Sequence, residues 1–219
     1  MKKAVLALSG GMDSTTVLAW LLDNSYEVVC VSFNYGSKHN PYENEAANKI
    51  ALFYDVMLEE VDMRGVMSSF QSNLLVSGGE IPEGHYNDDT MSKTVVPARN
   101  IIFLSVLAGL AWSNDASKIA IGIHQGDHAI YADCRTEFYK AMDTAIFLGT
   151  DKRVEILAPF IDTDKAGIIK WGRTKGVPYY LTRTCYKAQE LSCGKCGSCT
   201  ERLEAFQING IKDAIKYEV

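Results

Sequence analysis

The first sixty residues alternate between short apolar runs and stretches of helical periodicity. Apolar residues dominate segments 3–8, 27–33 and 55–61, and each run predicts a buried β-strand. Between them, segments 14–23 and 43–53 place their apolar residues at helical spacing. Strands that alternate with helices are typical of a parallel sheet covered by helices on both faces. The N-terminal part therefore predicts a Rossmann-like α/β fold.

The pattern weakens between residues 64 and 94, where glycine and proline interrupt it, and this stretch predicts a long surface loop or lid. Helical periodicity returns at 99–114, 135–147 and 164–173, and apolar strands are expected at 118–123 and 154–157. Residues 184–219 combine clustered cysteines with short helical pieces. We therefore expect an α/β domain over residues 1–180 and a small C-terminal appendage over residues 181–219, joined in one compact unit.

Composition narrows the class of protein. With 47% hydrophobic residues the chain is not intrinsically disordered, and its net charge of −5 disfavours non-specific nucleic-acid binding. The longest apolar run, residues 101–112, is broken by Ser105 and Gly109, is too short for a membrane span and predicts a buried helix. The N-terminus lacks a cleavage site, and most of the cysteines are clustered. We expect a cytoplasmic protein with neither membrane nor nucleic acid as a direct partner.

Residues 9–14 read SGGMDS and join the first predicted strand to the first helix. Gly10 and Gly11 allow a tight turn whose backbone N–H groups face a ligand, and the following helix N-terminus attracts an anion. Ser9 and Ser14 add hydroxyl groups, and Asp13 is suited to a magnesium ion that accompanies a polyphosphate. The string is not a Walker loop. A glycine turn with an ordinary helix cap is the alternative interpretation.

The second chemical feature is a cysteine cluster with the spacing C-x7-C-x2-C-x2-C, formed by Cys185, Cys193, Cys196 and Cys199. Four thiolates without a neighbouring histidine favour a closed, structural zinc site. An iron–sulfur cluster is the main alternative, because it also takes four thiolates. A redox-active pair fits less well, since a single C-x-x-C would suffice for it.

SGGMDS resembles the PP-loop of the N-type ATP pyrophosphatases, which cleave ATP between the α- and β-phosphates and adenylate a carbonyl oxygen. Five further segments narrow the resemblance. They are FNYGSKH at 33–39, VPARN at 96–100, YADCR at 131–135, TDKAGI at 163–168 and TCYKAQELSCGKCGSCTERLEAF at 184–206. Together they resemble the 7-cyano-7-deazaguanine synthase family of the queuosine pathway, over nearly the whole chain except residues 64–94.

The resemblance implies an enzyme that converts 7-carboxy-7-deazaguanine and ammonia, with two ATP, into 7-cyano-7-deazaguanine. An adenylated acid and then an adenylated amide are the implied intermediates, and AMP and pyrophosphate the released products. One alternative is a relative that stops at the amide or joins the carboxylate to another amine, for instance on a macromolecule. Another is a non-catalytic zinc-knuckle binding module. The resemblance also implies a homodimer, weakly supported by the apolar residues Phe53, Tyr54 and Ile101, which we expect to be exposed.

Carried over to this chain, the resemblance implies catalytic roles for Asp13, Ser14, Arg99 and Lys165. The implied ATP-binding residues are Leu8, Ser9, Gly10, Gly11, Met12, Asp13, Ser14, Thr15, Thr16, Val17, Leu18 and Phe33. The implied substrate-binding residues are Tyr35, His39, Asn100, Gly122, Asp127, Tyr131, Asp133 and Arg135. Of these, Asp127 or Asp133 is expected to pair with the guanine-like edge. Plainer roles are a surface loop for His39, a salt bridge for Arg99 and a helix cap for Asn100.

A few positions depart from the family pattern. Ser37 and Lys38 replace Gln-Arg, Ala98 replaces a glycine and Ala132 a proline, and the dipeptide Arg183-Thr184 replaces Trp-Ser. We expect these residues to cluster in substrate loops, which leaves the nucleophile and the product open but not the adenylation. A cysteine at position 134, within YADCR, is interpreted as a buried structural residue rather than a nucleophile.

Overall fold

The computed structural model describes residues 2–84 and 89–218, and for residues 89 and 90 the backbone only. Its strands form one parallel sheet in the order β3-β2-β1-β4-β5. The strands are β1 (Lys2–Ala7), β2 (Tyr26–Asn34), β3 (Met57–Asp62), β4 (Lys118–Ala120) and β5 (Glu155–Leu157). The parallel α/β fold expected from the sequence is confirmed. The order of the strands reverses between β1 and β4, and such switch points form ligand crevices at the carboxyl edge of a sheet.

Helices cover both faces of the sheet. They are α1 (Met12–Asp23), α2 (Asn40–Tyr54), α3 (Arg64–Met67), α4 (Arg99–Ser113), α5 (Thr136–Gly149), α6 (Lys165–Thr174) and α7 (Gly197–Ile208). Alternation along β1 divides the core, because Val5 packs with the α4–α5 layer whereas Leu6 packs with α1, α2 and α6. Strands buried on both faces explain why the sequence shows continuous apolar runs rather than alternation.

The strands β4 and β5 are shorter than expected, and the C-terminal segment contains one helix of 12 residues, α7, rather than only short pieces. After β4 the chain approaches the glycine turn closely. A Cβ on Gly122 would lie 2.8 Å from the backbone nitrogen of Ser14. Strand β4 therefore ends at Ala120, where the chain begins to bend around the glycine turn, although the apolar run continues to Ile123.

The described part of the segment from residue 64 to 94 is irregular and has many exposed residues, as predicted, but it is anchored in the core rather than lying wholly on the surface. Met67, Leu74 and Met91 are fully buried in the core on the α4 side of the sheet. Lys38 fastens the irregular stretch by donating to the backbone carbonyls of Asn73 and Gly78 at 3.0 and 3.1 Å. Residues 85–88, inside the predicted lid, lie outside the described residues. The sequence did not indicate that the side chains of Met67, Leu74 and Met91 are buried, because irregular backbone produces no periodic pattern of hydrophobic residues.

The C-terminal segment packs onto the α/β layers through α7, which lies against α6. Arg202 on α7 is completely buried and forms a fork with both carboxylate oxygens of Asp213, at 2.6 and 3.0 Å. The same guanidinium donates to Thr182 Oγ1 at 2.7 Å and to the carbonyl of Tyr179 at 3.0 Å. One buried cation thus ties α7 to the chain that precedes the cysteine cluster.

Residues 91–113, which include α4, are long and apolar enough to cross a membrane by length and composition alone. In the fold, α4 packs against β1 and β4 and buries Phe103, Leu104 and Leu107. The helix is therefore the core helix that the sequence predicted.

Candidate active site

A cleft opens at the carboxyl edge of the sheet, between the ends of β1, β2 and β4. Many of the residues singled out from the sequence line it. They are Ser9, Gly11, Met12, Asp13, Ser14, Phe33, Tyr35, His39, Arg99, Asn100, Gly122, Asp127, Tyr131 and Lys165. The fold thus brings together residues that are far apart along the chain.

The glycine turn forms one side of the cleft. Gly10 has a φ of 77°, and a Cβ there would lie 2.5 Å from the backbone oxygen of Glu43, so only glycine permits this approach of α2. The hydroxyls of Ser9 and Ser14 lie 3.1 Å apart across the turn. Helix α1 begins at Met12, and its first turn lines the cleft, where a helix N-terminus is suited to binding a phosphate.

Several residues singled out from the sequence do not line the cleft: Leu8, Gly10, Thr15, Thr16, Val17, Leu18, Asp133 and Arg135. Leu8, Val17 and Leu18 belong to the apolar core. Asp133 accepts the backbone N–H of Asn100 at 3.0 Å, and Arg135 donates to the carbonyl of His128 at 2.9 Å. These side chains shape the elements around the cleft rather than its surface.

A buried lysine lies on the floor of the cleft. Lys165 begins α6, where a cation opposes the helix dipole, and its side chain is only 6% exposed. Its Nζ donates to Glu201 Oε2 at 2.6 Å and lies 3.4 Å from Asp13 Oδ2. Burial alone would lower the pKa of Lys165, but Asp13, Glu201 and Asp127 together raise it above the ordinary value. Lys165 is therefore a permanently charged group held among carboxylates.

His124, which the sequence analysis did not identify, lies at the centre of the same carboxylates. It is fully buried, and its Nδ1 accepts the backbone N–H of Gly126 at 3.0 Å. The ring proton therefore lies on Nε2, which faces Asp127, Asp13 and Glu201 at 3.5, 3.8 and 4.0 Å. Burial raises the pKa of Asp127 above its usual range. No short motif contains this group, since its members come from separate elements.

A second set of polar groups lines the cleft around the start of α2. His39 Nε2 lies 3.4 Å from Glu43 Oε2 and 3.4 Å from the Tyr35 hydroxyl. Burial lowers the pKa of His39 to about 3, helped by the charge of Arg99. Burial raises the pKa of Glu43 to about 8, although Arg99 and Arg183 oppose the shift. Glu43 was also missed from the sequence, where its position four residues after His39 was the available signal.

Of the residues that depart from the family pattern, only the pair at 183–184 lines the cleft. Arg183 donates to the backbone carbonyls of residues 187, 189 and 190 at 2.7 to 2.9 Å and so braces the loop beside the cysteines. Lys38 fastens the segment after α3, Ser37 is buried and Ala132 is exposed. The expectation that these residues cluster in substrate loops is therefore wrong for most of them.

Cys134 lines the cleft beside Asn100, whose Nδ2 lies 3.3 Å from its sulfur. Burial raises the pKa of the Cys134 thiol well above its ordinary value. A protonated, buried thiol is a poor nucleophile, which agrees with the structural interpretation.

The thiols of Cys185, Cys193, Cys196 and Cys199 are all buried, with their sulfur atoms within 4.8 Å of one another. The Cys193 and Cys199 sulfurs are 4.0 Å apart, close to the separation of about 3.8 Å that tetrahedral Zn–S bonds of about 2.3 Å impose. The four thiols therefore form a metal-ligand set. Helix α7 begins inside this set and carries Glu201 to Lys165, which lines the cleft.

Comparisons with known proteins agree on one family. The family model described as "Queuosine biosynthesis protein QueC" matches residues 3–210. The 7-cyano-7-deazaguanine synthase of Caldicellulosiruptor saccharolyticus is 46% identical over 217 residues, covering 99% of this chain and 96% of that protein. The enzyme of the same name from Archaeoglobus fulgidus is 43% identical over 214 residues, covering 97% and 89%.

Two solved structures share the fold at low sequence identity. NMN synthetase from Francisella tularensis superposes with a TM-score of 0.53 at 13% identity, covering 95% of this chain and 77% of that one. A 4-thiouridine synthetase in complex with RNA and ATP gives 0.52 at 18% identity, covering 93% and 50%. At such identities the likeness concerns the fold alone.

Proposed function

This chain belongs to the queuosine biosynthesis protein QueC family, and we propose that it converts 7-carboxy-7-deazaguanine and ammonia into 7-cyano-7-deazaguanine at the expense of ATP. The observation that carries the proposal is the cleft at the β1–β4 switch point. There the glycine turn, the Lys165 ammonium and the Arg99 guanidinium surround one space. Such a space suits an ATP whose α-phosphate faces a carboxylate.

In this proposal the glycine turn and the N-terminus of α1 hold the phosphates, while Lys165 and Arg99 balance the charge that develops during adenylation. The turn lacks the Walker lysine, which agrees with release of AMP and pyrophosphate rather than ADP. The cleft presents the α-phosphate of ATP to any oxygen placed opposite. The same cleft can therefore adenylate first the acid oxygen and then the amide oxygen.

Asp13 is the residue that would hold Mg²⁺. Its Oδ1 is buried and makes no hydrogen bond within the described part of the chain, as expected of an oxygen reserved for a cation. When bound, the metal neutralises negative charge on the departing pyrophosphate. Asp13 itself is held by Lys165 and His124, which fix the orientation of its other oxygen.

For the cysteine set we propose zinc, since its sulfur spacing and the absence of a histidine ligand among the described residues fit a closed Cys₄ site. Residues 181–219 then act as an appendage to residues 1–180 that completes the cleft through α7. A cytoplasmic location agrees with reduced, clustered thiols. A homodimer is proposed from the family resemblance.

The test is product analysis. Purified protein is incubated with 7-carboxy-7-deazaguanine, ATP and ammonium, and the products are identified by mass spectrometry, with the nitrile, AMP and pyrophosphate expected. Accumulation of the amide alone would favour the second candidate, an amide-forming relative, which the unusual Arg183-Thr184 pair in the cleft makes worth testing. ADP as the main nucleotide product would contradict the proposal.

A further inference from the structure

The proposed reaction needs a step that adenylation does not provide, which is the removal of protons from the nitrogen. The nitrogen enters as ammonium and leaves as a nitrile, so every N–H bond of ammonium must break. Both oxygens of the substrate carboxylate depart with AMP, and no oxidation or reduction takes place. The cleft therefore needs a proton acceptor beside the nitrogen, apart from the groups that bind phosphate.

The carboxylates on the floor of the cleft are already engaged with Lys165 and His124. Asp13 faces Lys165 and His124, and Asp127 lies within 3.5 Å of the same histidine. A proton acceptor there would have to compete with a buried ammonium group and would disturb the phosphate-binding charges. Glu43 also lines the cleft, on the first turn of α2, and the charges that act on it are those of Arg99 and Arg183 rather than Lys165.

The surroundings of Glu43 suit proton transfer. Its side chain remains 20% exposed, so a proton taken from the nitrogen can pass on to water. His39 Nε2 lies 3.4 Å from the carboxyl group and accepts a hydrogen bond from it when it is protonated. The Tyr35 hydroxyl lies 3.4 Å from the same His39 nitrogen, and the guanidinium groups of Arg99 and Arg183 complete the charged surroundings.

We propose that Glu43, held by His39, forms the ammonium site of the cleft and is the general base that removes protons from the nitrogen. This inference rests on the proposed function. Because burial holds the pKa of Glu43 near 8, the carboxyl group can both accept and release a proton close to neutral pH. A residue with a much lower pKa would bind ammonium but would not deprotonate it.

A proton moves from ammonium to the Glu43 carboxylate, and the freed nitrogen lone pair attacks the adenylated carboxyl carbon. A C–N bond forms, the C–O bond to AMP breaks, and a further proton leaves through Glu43 to give the amide. After the amide oxygen is adenylated, the remaining N–H protons leave in the same way while the second C–O bond to AMP breaks, which leaves the nitrile.

The experiment compares Glu43→Gln with a matched control, Glu45→Gln, on the same helix. Glu45 is exposed and pairs with Lys49, away from the cleft. ATP–pyrophosphate exchange with 7-carboxy-7-deazaguanine is measured without ammonium, because it reports adenylation alone. We expect both variants to exchange within about twofold of wild type, whereas ammonium-dependent turnover falls about 100-fold in Glu43→Gln only.

Two further measurements identify the proton transfer. Wild-type turnover with ammonium should rise with pH and level off near pH 8, where Glu43 loses its proton. In Glu43→Gln the inflection disappears, and the rate continues to rise until ammonium itself deprotonates. Hydroxylamine, which is already neutral at pH 7, should restore hydroxamate formation by the variant to within about fivefold of wild type.

Either of two results would overturn the inference. One is ammonium-dependent turnover by Glu43→Gln close to that of wild type with the same pH profile. The other is a parallel loss of pyrophosphate exchange, which would place Glu43 in adenylation. If the wild-type protein showed no exchange at all, the proposed function would fail first, and the inference with it.

Discussion

At the scale of single residues, Asp13 is the carboxylate on which the charged groups of the cleft floor converge. Asp13→Asn removes a negative charge from between Lys165 and His124 and weakens the proposed hold on magnesium. We expect turnover to fall about 100-fold or more, because the lost charge stabilises the transition state. The fold should persist, since an acidic residue in the first turn of a helix contributes only about 1 kcal/mol. Steady-state kinetics and circular dichroism measure the two effects.

The control for this variant is Asp23→Asn at the other end of α1. Asp23 pairs with Lys175 at the surface, so its loss should change turnover by less than about twofold. Full activity in Asp13→Asn would show that the floor of the cleft does not serve the reaction.

A second prediction for a single residue concerns the stability effect of Ala98, which occupies a position where the family pattern has glycine. Its φ of 54° lies in the left-handed region, which is strained for alanine. Ala98→Gly should raise the free energy of unfolding by about 1 kcal/mol without lowering turnover. Urea denaturation measures the change. Ala141→Gly, exposed within α5, should instead lower stability by about 1 kcal/mol, and equal effects would contradict the strain.

At the scale of elements, α7 links the cysteine set to the cleft. From the sequence, the metal is expected only to stabilise the C-terminal segment, so that its removal lowers stability before it lowers activity. The structure adds that α7 also carries Glu201 to Lys165. Glu201→Gln should therefore lower turnover about tenfold or more while the protein keeps its metal, because Lys165 loses a charged partner at 2.6 Å. Metal content by mass spectrometry and steady-state kinetics are compared.

The matched control is Glu204→Gln, an exposed position on the same helix. Removal of the metal by a chelator should reduce turnover and expose residues 184–219 to proteolysis over the same range of chelator concentration. Activity that survives proteolytic loss of this segment would contradict the link between α7 and the cleft.

A second prediction at the scale of elements concerns the buried Arg202–Asp213 fork. Burial alone would raise the pKa of Asp213, but the Arg202 guanidinium holds it below its ordinary 3.8. This stabilisation is therefore fully present above the ordinary carboxyl range and is lost as pH falls through the lowered folded-state pKa. Arg202→Met leaves a buried carboxylate without its cation and should cost about 3 kcal/mol at neutral pH.

Urea titrations between about pH 3 and pH 7 measure the effect, with exposed Arg173→Met as the control. In wild type, stability should fall at the acid end of this range. In Arg202→Met the acid loss should shrink, and the double variant Arg202→Met/Asp213→Leu should recover part of the stability. An unchanged urea midpoint in Arg202→Met would contradict the role of the fork.

At the scale of the whole molecule, exposed apolar side chains concern the expected homodimer. Phe53 and Ile101 are 50% and 43% exposed, but Tyr54 is half-buried and packs against the core, so its expected exposure is corrected. Leu52 and Met57, 83% and 63% exposed, extend the apolar surface around Phe53 beside the edge strand β3. A second copy of the chain could bury such an apolar surface in a dimer interface.

Light scattering at micromolar concentration should give a mass near twice the 24.2 kDa of one chain. Leu52→Glu should shift the particle toward the monomer. The control Leu148→Glu makes the same change at a position on α5 that is 62% exposed, and it should not shift the particle. A wild-type particle of 24.2 kDa would contradict the dimer.

Local sequence patterns were sufficient for much of the fold and for the phosphate side of the cleft. The parallel α/β fold follows from periodicity, because strands and helices are defined by residues close together in the chain. The SGGMDS turn and the four closely spaced cysteines are equally local. Where the backbone is irregular, as around Leu74, burial leaves no periodic trace and the sequence misleads.

The alternation of strands and helices, the glycine turn and the metal-ligand set can each be read from the order of residues, since each depends on neighbours within about one element of chain. Packing between distant elements, in contrast, brings Glu201 to Lys165 across 36 positions, turns His124 toward Asp13 and places Glu43 beside His39 in the cleft. Those contacts arise from the strand order at the switch point and from the packing of α7 on α6. Long-range packing sets such convergence, and no local spacing encodes it.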